Sequence, residues 1–392
     1  MQITQITFGV FHHFELAHQL HARNHLRRIY STFPWARLKR EGLPRQYVSC
    51  FPFIQTPDFL LSRTSFYPHA VSSRITEWNT SAFDLWMRYK IEPCDALIAL
   101  SGAGLTTGPQ VQASGGKFIC DRGSTHMRYQ LDLLVEEHRR WDIPFAQPDP
   151  EGLRRDERLY NLADAITVPS NIVRDSFLKM GVSADKVHVI PYGVRLDRFK
   201  PAEPPPTDSF EVLFAGSISL QKGIPYLLEA FARLRHPRKH LTIVGGIQNQ
   251  MRPLLDKLPT ENVTFTGAIP QTELAARMSR SHVMTLASVQ EGLALVLGQA
   301  MACGCPVVAT RATGAEGLFS DGVEGFIVND RDIDALTNRL QQLADDPALR
   351  QQMSAAALER VKNLGGWNTY GDKWDALLHT LTGCPKDPAE LL

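Results

Sequence analysis

The sequence lacks several features that would assign it to a class at once. Only six of its 392 residues are cysteine, and none has the paired spacing of a zinc site, which favours a reducing compartment. Charge of one sign is not in excess, since the net charge is +1, and this argues against a dedicated nucleic-acid binder. No apolar run approaches the ~20 residues that span a bilayer, and no signal peptide is recognisable. We therefore expect a cytoplasmic protein.

The length and the alternation of patterns predict two α/β domains. A chain of 392 residues suits two domains of about 150–200 residues each. Strand-like runs such as DALIAL and HLTIVGG alternate with helical patterns in both halves, which predicts doubly wound parallel sheets. A proline-rich stretch, RLDRFKPAEPPPTDSF, separates the halves. We predict one Rossmann-like domain over residues 1–195 and a second over residues 196–370.

The stretch EGLALVLGQAMACGCPVVAT, residues 291–310, predicts a helix between two strands. The N-terminus of such a helix offers free N–H groups to an anion, and Gly292 lets a ligand approach the backbone. Eight residues separate Glu291 from Gln299, about 12 Å along a helix with both near one face. That spacing suits a sugar and a ribose on either side of a diphosphate. Taken alone, Glu291 could equally cap the helix, and Gln299 could be a tolerated polar residue.

A second stretch favours the binding interpretation. In FAGSISLQKGIPYLLEAF, residues 214–231, Lys222 and Gly223 stand just before an amphipathic helix. A lysine beside a helix N-terminus is what a diphosphate needs. The two stretches together predict a nucleotide-sugar cradle.

These motifs resemble the retaining GT-B glycosyltransferases of family 4. The resemblance rests on GSISLQKGIPYLLEA, VTFTGAIP, EGLALVLGQAMACGCPVVAT and TGAEGLFSDGVEGFIV, and it reaches back to LADAITVPSNIVRDSF. It implies two domains facing a cleft, a nucleotide diphosphate sugar as donor, a hydroxyl acceptor, no metal and no other cofactor. It also implies that the last helix, over about 371–385, packs back on the first domain.

The resemblance assigns roles to particular residues. Glu291 would bind the donor sugar, Lys222 the diphosphate, and Gln299 the ribose. The remaining implied donor contacts are the backbone N–H groups of Leu295 and Val296 for phosphate and Ile269 for the base. His126 is implied to reach the donor sugar and phosphate. The alternative is that His126 is a polar loop residue whose hydrogen bonds are all local.

Two positions depart from the family pattern. The ribose position is Gln299 rather than Glu, and Ser217 replaces the usual Arg after the glycine. Losing a charge-assisted contact costs about 1.5–3 kcal/mol unless another group replaces it. Arg195 is a candidate replacement. A non-catalytic nucleotide-sugar-binding subunit is therefore the alternative function.

The first half contributes further candidates for the cleft or the acceptor. His12 and His13 follow the first strand, where the family has a glycine-rich loop, and local capping or packing is their alternative. Asp121 and Arg122 follow a later strand. Gly102, Gly104 and Gly108 imitate a dinucleotide fingerprint with Asp121, but Pro109 leaves room only for a small helix.

Residues 21–90 are unusually basic and aromatic. They carry eleven Lys and Arg against four Asp and Glu, together with eight prominent aromatic residues. Each basic residue near anionic lipid is worth about 1 kcal/mol, so this stretch is a candidate membrane surface for a lipid-linked acceptor. A solvated face over an ordinary aromatic core is the alternative.

Overall fold

The computed structural model describes residues 1–53, 69–145, 150–194 and 197–385, and the side chains of residues 69–77 are not included in this description. Two parallel sheets dominate it, one in each half of the chain. The candidate Arg195 lies outside the described residues.

The first sheet has seven strands in the order β3-β2-β1-β4-β5-β6-β7, and every pairing is parallel. Its central strands are buried on both faces, as expected for strands covered by helices. The strands are β1 Ile3–Thr7, β2 Leu26–Ser31, β3 Val48–Cys50, β4 Ala96–Leu100, β5 Lys117–Asp121, β6 Ala165–Val168 and β7 Val187–Val189.

The second sheet has six strands in the order β10-β9-β8-β11-β12-β13, again all parallel. The strands are β8 Phe210–Ala215, β9 Lys239–Val244, β10 Val263–Gly267, β11 Val283–Leu286, β12 Val307–Thr310 and β13 Gly325–Val328. Two parallel Rossmann-like sheets confirm the predicted fold class.

Helices connect the strands of both sheets. In the first half they are α1 Phe11–Ala22, α2 Trp35–Leu38, α3 His69–Lys90, α4 Thr107–Ala113, α5 Met127–Arg140, α6 Pro150–Leu162 and α7 Asn171–Lys179. In the second half they are α8 Ile224–Arg233, α9 Arg252–Leu255, α10 Gln271–Ser279, α11 Leu295–Ala302, α12 Ile333–Asp345, α13 Pro347–Asn363 and α14 Trp367–Thr382.

The last helix, α14, belongs by its packing to the first half of the chain. Its Tyr370, Trp374 and Leu378 are buried in the same apolar cluster as Phe14 and Leu20 of α1. The helices approach closely at Gly371, where a Cβ would lie 2.7–2.8 Å from side-chain atoms of Gln19 and Arg23. The domain limits at residues 195 and 370 remain a prediction.

The strand order fixes where a ligand can bind. In each sheet the order reverses beside the first strand, between β1 and β4 and between β8 and β11. The loops at the carboxyl ends of strands flanking such a point diverge and leave a crevice. Residues after β1 and β4 therefore face one crevice, and residues after β8 and β11 face the other.

Candidate functional site

The loops that follow β8 and β11 touch through their backbones. Gly223 has a φ of 66° and caps α8, and a Cβ there would overlap the carbonyl oxygen of Ala287 at the end of β11. Only glycine fits both the left-handed backbone and this contact. This backbone contact brings Lys222, which precedes Gly223, beside the loop that leads into α11.

Lys222 and Glu291 meet at this contact, as ammonium Nζ against carboxylate Oε1. Both side chains are largely buried, and Ser288 Oγ lies 3.4 Å from the same carboxylate oxygen. Burial lowers the pKa of Lys222 to about 8. The two residues that the sequence assigned to diphosphate and sugar thus stand side by side at the second crevice.

Gln290, which the sequence analysis overlooked, fastens this site to the other domain. Its Nε2 donates to Ser124 Oγ at 2.7 Å and to Thr125 Oγ1 at 2.9 Å, in the loop after β5. Its Oε1 accepts from Gln221 Nε2 at 2.7 Å, so this buried amide is fully hydrogen-bonded. The only signal in the sequence was its position directly before Glu291.

Gly292 lies at a contact between the two domains. A Cβ at Gly292 would overlap the carbonyl oxygen of Gly123, so the glycine admits the backbone of the first domain. Ser170 Oγ donates to the Gly292 carbonyl at 2.6 Å from the same side. The backbone of the first domain thus occupies the space that a side chain at position 292 would fill, and the role of Gly292 in ligand approach remains a prediction.

The predicted phosphate site at α11 is partly engaged within the protein. The helix begins at Leu295, two residues after the predicted start, and the Leu295 N–H donates to Leu293 O at 3.0 Å. The Val296 N–H has no acceptor among the residues that the structure describes. Val296 therefore offers the more available donor for an anion.

The other residues predicted to contact the donor also belong to the second domain. Gln299 is half-buried in α11. Ser217 is exposed after β8, and Ile269 is half-buried against the core of the second domain. Their contacts leave all three available, and their binding roles remain predictions.

His126 occupies a capping position. Its Nδ1 accepts from the Arg128 N–H at 3.3 Å, and its ring packs on Tyr160 and Phe177 at 4.9 and 5.1 Å between centroids. Burial lowers the pKa of His126 to about 4, so the ring is neutral at physiological pH. These contacts agree with the alternative of a locally satisfied histidine and do not favour the catalytic prediction.

His12 and His13 lie in the first turn of α1, not in a loop. Both reach Asp121 at the end of β5, with Nε2–Oδ2 distances of 2.6 Å for His12 and 3.2 Å for His13. Thr167 Oγ1 donates to the other carboxylate oxygen at 2.8 Å. Although burial acts to raise it, the charges and hydrogen bonds of the two histidines hold the pKa of Asp121 well below its usual range. Burial lowers the pKa of His13.

Two remaining candidates of the first domain are held by local contacts. Arg122 donates to Thr125 O at 3.1 Å and to Gln130 Oε1 at 2.9 Å, and so shapes the loop that receives Gln290. Gly102, after β4, accepts from Arg155 Nε at 2.9 Å. Gly102 follows β4 and so lies at the first crevice, whereas Arg122 follows β5.

The rival dinucleotide fingerprint has a packing explanation. Cβ atoms at Gly104 or Gly108 would lie 3.0 Å or less from the ring of Phe118, so these glycines let the short helix α4 rest on β5. Asp121, the acidic residue of that fingerprint, is committed to the two histidines. The glycines are therefore accounted for without a dinucleotide.

Two groups of side chains could in principle hold a metal ion. His12, His13 and Asp121 form one, and His25, Asp375 and His379 form the other, each with ligand atoms within 4.8 Å. In the second group Asp375 lies 3.1 Å from His25 Nε2 and 3.6 Å from His379 Nε2. Each arrangement is also that of a carboxylate serving two imidazoles, and the absence of a metal requirement remains a prediction.

A second tie joins the domains away from the crevice. Glu137 of α5 is fully buried, pairs with Arg331 and accepts from Tyr226 OH at 2.7 Å. Tyr226 is in the first turn of α8, four residues after Lys222. Arg331 adopts a left-handed backbone with a φ of 66°, which is uncommon outside glycine. The helix behind Lys222 is therefore anchored to the first domain.

Comparison with known families assigns the chain to a class. The profile of the family described as Glycosyl transferases group 1 matches residues 197–360, and that of Glycosyltransferase Family 4 matches residues 124–198. Two solved structures share the whole fold. Sucrose-phosphate synthase from Thermosynechococcus elongatus matches with a TM-score of 0.72 and 22% identity, over 98% of this chain and 100% of that one. Anabaena HepE in complex with UDP matches with a TM-score of 0.67 and 18% identity, over 97% of this chain and 100% of that one. The chain belongs to glycosyltransferase family 4 and has the GT-B fold.

Curated relatives match over part of their length. A D-inositol 3-phosphate glycosyltransferase of Pseudarthrobacter chlorophenolicus is 31% identical over 56% of this chain and 57% of the relative. A GDP-mannose-dependent alpha-(1-6)-phosphatidylinositol monomannoside mannosyltransferase of Mycolicibacterium smegmatis is 32% identical over 56% and 63%. The match thus spans about three fifths of each relative.

Replacing Gly292 tests the contact between the domains. We expect Gly292→Ala to destabilise the protein by about 1–3 kcal/mol, because its methyl group displaces the Gly123 backbone. Gly298→Ala is the matched control in α11, where a Cβ meets its neighbours at 3.5–3.8 Å and helix propensity adds about 0.5–1 kcal/mol. The melting temperature should therefore fall for Gly292→Ala and rise for Gly298→Ala. Equal shifts would contradict the assigned contact.

The lowered pKa of Lys222 predicts a pH-dependent affinity. The ammonium that attracts a diphosphate is fully present well below pH 8 and is lost as the pH rises through about 8. We expect affinity for UDP or GDP to fall between about pH 7 and pH 9.5, where the phosphates are already ionised. Calorimetry should show a shallower fall for Lys222→Arg, which stays charged. If affinity fell equally with pH for the parent and for Lys222→Arg, Lys222 would not be the source of the pH dependence.

Proposed function

We propose that this chain transfers a glycosyl group from a nucleotide diphosphate sugar to a hydroxyl acceptor, with retention of configuration and without a metal. The observation that carries the proposal is the meeting of Lys222 and Glu291 at the second crevice. A fixed cation beside a fixed carboxylate suits a donor whose diphosphate and sugar adjoin each other.

The catalytic contribution of the site would be electrostatic. The sugar leaves a nucleoside diphosphate whose charge increases as the glycosidic bond breaks. Lys222 and the N-terminus of α11, with its open Val296 N–H, would stabilise that charge without reorganising. Both lie on loops braced by backbone contacts at Gly223 and Gly292. This preorganisation lowers the barrier more than a mobile lysine would.

The remaining donor contacts follow the crevice outward. Glu291 would hold the sugar hydroxyls once the donor separates it from Lys222, and Gln299 would bind the ribose. Ile269 would pack on the base, and the exposed Ser217 would face the donor after β8. The base is proposed to be uracil or guanine: HepE is a fold neighbour in complex with UDP, and a curated relative is named for GDP-mannose.

The acceptor is proposed to be a lipid-linked glycan or glycolipid of the cell envelope, reached at the inner face of the plasma membrane. Among the described residues no helix is both long enough and apolar enough to cross a bilayer. Helix α3 instead exposes Trp78, Leu85 and Tyr89 by 74%, 50% and 78% on one stripe. The exposed cations Arg88 and Lys90 lie beside it.

The opposite face of α3 anchors it to the first domain. Phe83 and Met87 are buried there, and Asp84 accepts from Thr107 Oγ1 at 2.9 Å. An aromatic and basic stripe on an anchored helix is suited to the interface of an anionic bilayer. Residues 54–68 of the predicted basic stretch lie outside the described residues.

Substituting Glu291 tests the enzyme assignment. We expect Glu291→Ala to lower turnover at saturating donor at least about tenfold, because about 1.4 kcal/mol of transition-state stabilisation is lost. UDP-glucose and GDP-mannose are the first donors to assay, with release of the nucleoside diphosphate as readout. Glu273→Ala, an exposed carboxylate of α10 paired with Arg277, is the control and should be neutral.

Unchanged turnover in Glu291→Ala would contradict the proposed role of Glu291 in binding the donor sugar. Nucleotide binding with no release from any donor by the parent protein would favour the alternative, a non-catalytic nucleotide-sugar-binding subunit.

Removing the α3 stripe tests membrane contact. We expect the double variant Trp78→Ser/Tyr89→Ser to sediment less with phosphatidylglycerol vesicles than the parent, because two interfacial aromatic side chains are lost. Val323→Ser removes an exposed apolar side chain from the second domain and should bind vesicles as the parent does. Equal sedimentation of all three proteins would refute this surface.

A further inference from the structure

Two histidines and one aspartate from distant parts of the chain meet under the last helix. Asp375 and His379 are about one turn apart on α14, so their side chains lie on the same face of the helix. His25 comes from the turn between α1 and β2. Its N–H donates to Leu20 O at 2.8 Å, and its carbonyl accepts from the Ile3 N–H at 2.7 Å. Three side chains that can bind a metal therefore converge where α14 packs on the first domain.

The distances between the three side chains suit a zinc ion. His25 Nε2 lies 3.1 Å from Asp375 Oδ1, and His379 Nε2 lies 3.6 Å from Asp375 Oδ2. All ligand atoms of the group lie within 4.8 Å of one another. In a tetrahedral zinc site, ligand atoms about 2.0 Å from the metal are about 3.3 Å apart. Imidazole nitrogen and carboxylate oxygen are both zinc ligands, so chemistry and spacing agree.

The hydrogen bond of His379 shows which of its ring nitrogens can bind an ion. Nδ1 lies 2.7 Å from the carbonyl oxygen of Cys384, and because a carbonyl only accepts, Nδ1 carries the proton. The neutral ring then presents the lone pair of Nε2 to Asp375. This buried Nε2 has no hydrogen-bond partner in the described part of the chain, since 3.6 Å is too long for a hydrogen bond. A backbone carbonyl on the other nitrogen is a common support of a metal-binding histidine.

The burial of the group calls for a positive charge between these side chains. His25 and Asp375 are only 7% and 9% exposed, and the adjoining Leu26 and Leu378 belong to the apolar cluster under α14. An ionised carboxylate in such surroundings is costly unless a cation compensates it. A proton on His379 Nε2 would point at an oxygen 3.6 Å away, whereas a metal ion between the side chains would contact all three.

We propose that His25, Asp375 and His379 bind one Zn²⁺, which fastens α14 to the first domain. A water molecule would complete the tetrahedron. His25 precedes β2 and so lies at the amino ends of the parallel strands, opposite the crevice at their carboxyl ends. The ion is therefore structural and takes no part in the transfer reaction. This site goes beyond the proposed function and does not alter its independence of metal.

Zinc binding to the full chain tests the site. After removal of metal with EDTA and dialysis against Zn²⁺ at pH 7.5, the parent should retain one zinc per chain, as measured by mass spectrometry. Zinc should raise its melting temperature by about 3 °C or more, because an ion that binds only the folded chain stabilises it. His379→Gln should weaken zinc binding at least about 100-fold. His12→Gln alters the other group of possible metal ligands and should bind zinc as the parent does.

Three results would overturn the inference. They are a parent that retains no zinc, parental zinc affinity in His379→Gln, and loss of zinc from His12→Gln, which would assign the ion to the group around Asp121. If His379→Gln does not fold, anomalous scattering at the zinc edge from crystals of the parent decides the question. A peak between Asp375 and the two histidines supports the site, and a peak elsewhere or none refutes it. Neither measurement depends on glycosyl transfer, so the proposed function can fail separately.

Discussion

Two close approaches of backbone to backbone hold the site together. At Gly223 the loop after β8 meets the end of β11, and at Gly292 the loop before α11 meets Gly123 of the first domain. Neither contact tolerates a Cβ, so both positions depend on glycine. The first places Lys222 beside Glu291, and the second brings the first domain against the same loop. The Lys222–Glu291 ion pair and the contact between the domains therefore both depend on glycine at positions 223 and 292.

The polar contacts around these glycines complete one continuous structure. Gln290 joins both loops of the second domain to Ser124 and Thr125, and Glu137 joins α5 to the helix that follows Lys222. A buried polar group left without its partner costs about 1–3 kcal/mol, so these contacts favour a single closed arrangement. In the same arrangement Gly123 lies between His12, which contacts Asp121, and the loop that carries Glu291.

The sequence predicted what depends on local pattern. Alternating runs predicted both parallel sheets, and helix entry with a lysine or a carboxylate predicted that Lys222 and Glu291 belong to one cradle. The direct pairing of the two side chains was not predicted. The sequence also did not predict Gln290 or Glu137, because the partners of these side chains in the other domain lie more than 80 residues away along the chain. The role of His126 stays a prediction, because a histidine before a helix is compatible with a cap or with a ligand, and the structure shows its capping hydrogen bond and its packing on Tyr160 and Phe177. The helix α11 begins at Leu295 rather than near Leu293, a difference within the one or two residues by which helix ends vary.

Calorimetric titration with UDP, GDP, ADP and NAD, each with and without EDTA, tests the central claim most directly. The account predicts that one nucleoside diphosphate binds the parent protein, that EDTA leaves this binding unchanged, and that Lys222→Ala weakens it. Binding of NAD in preference to all three nucleoside diphosphates would contradict the account, and so would equal affinity of the parent and Lys222→Ala for the bound nucleotide.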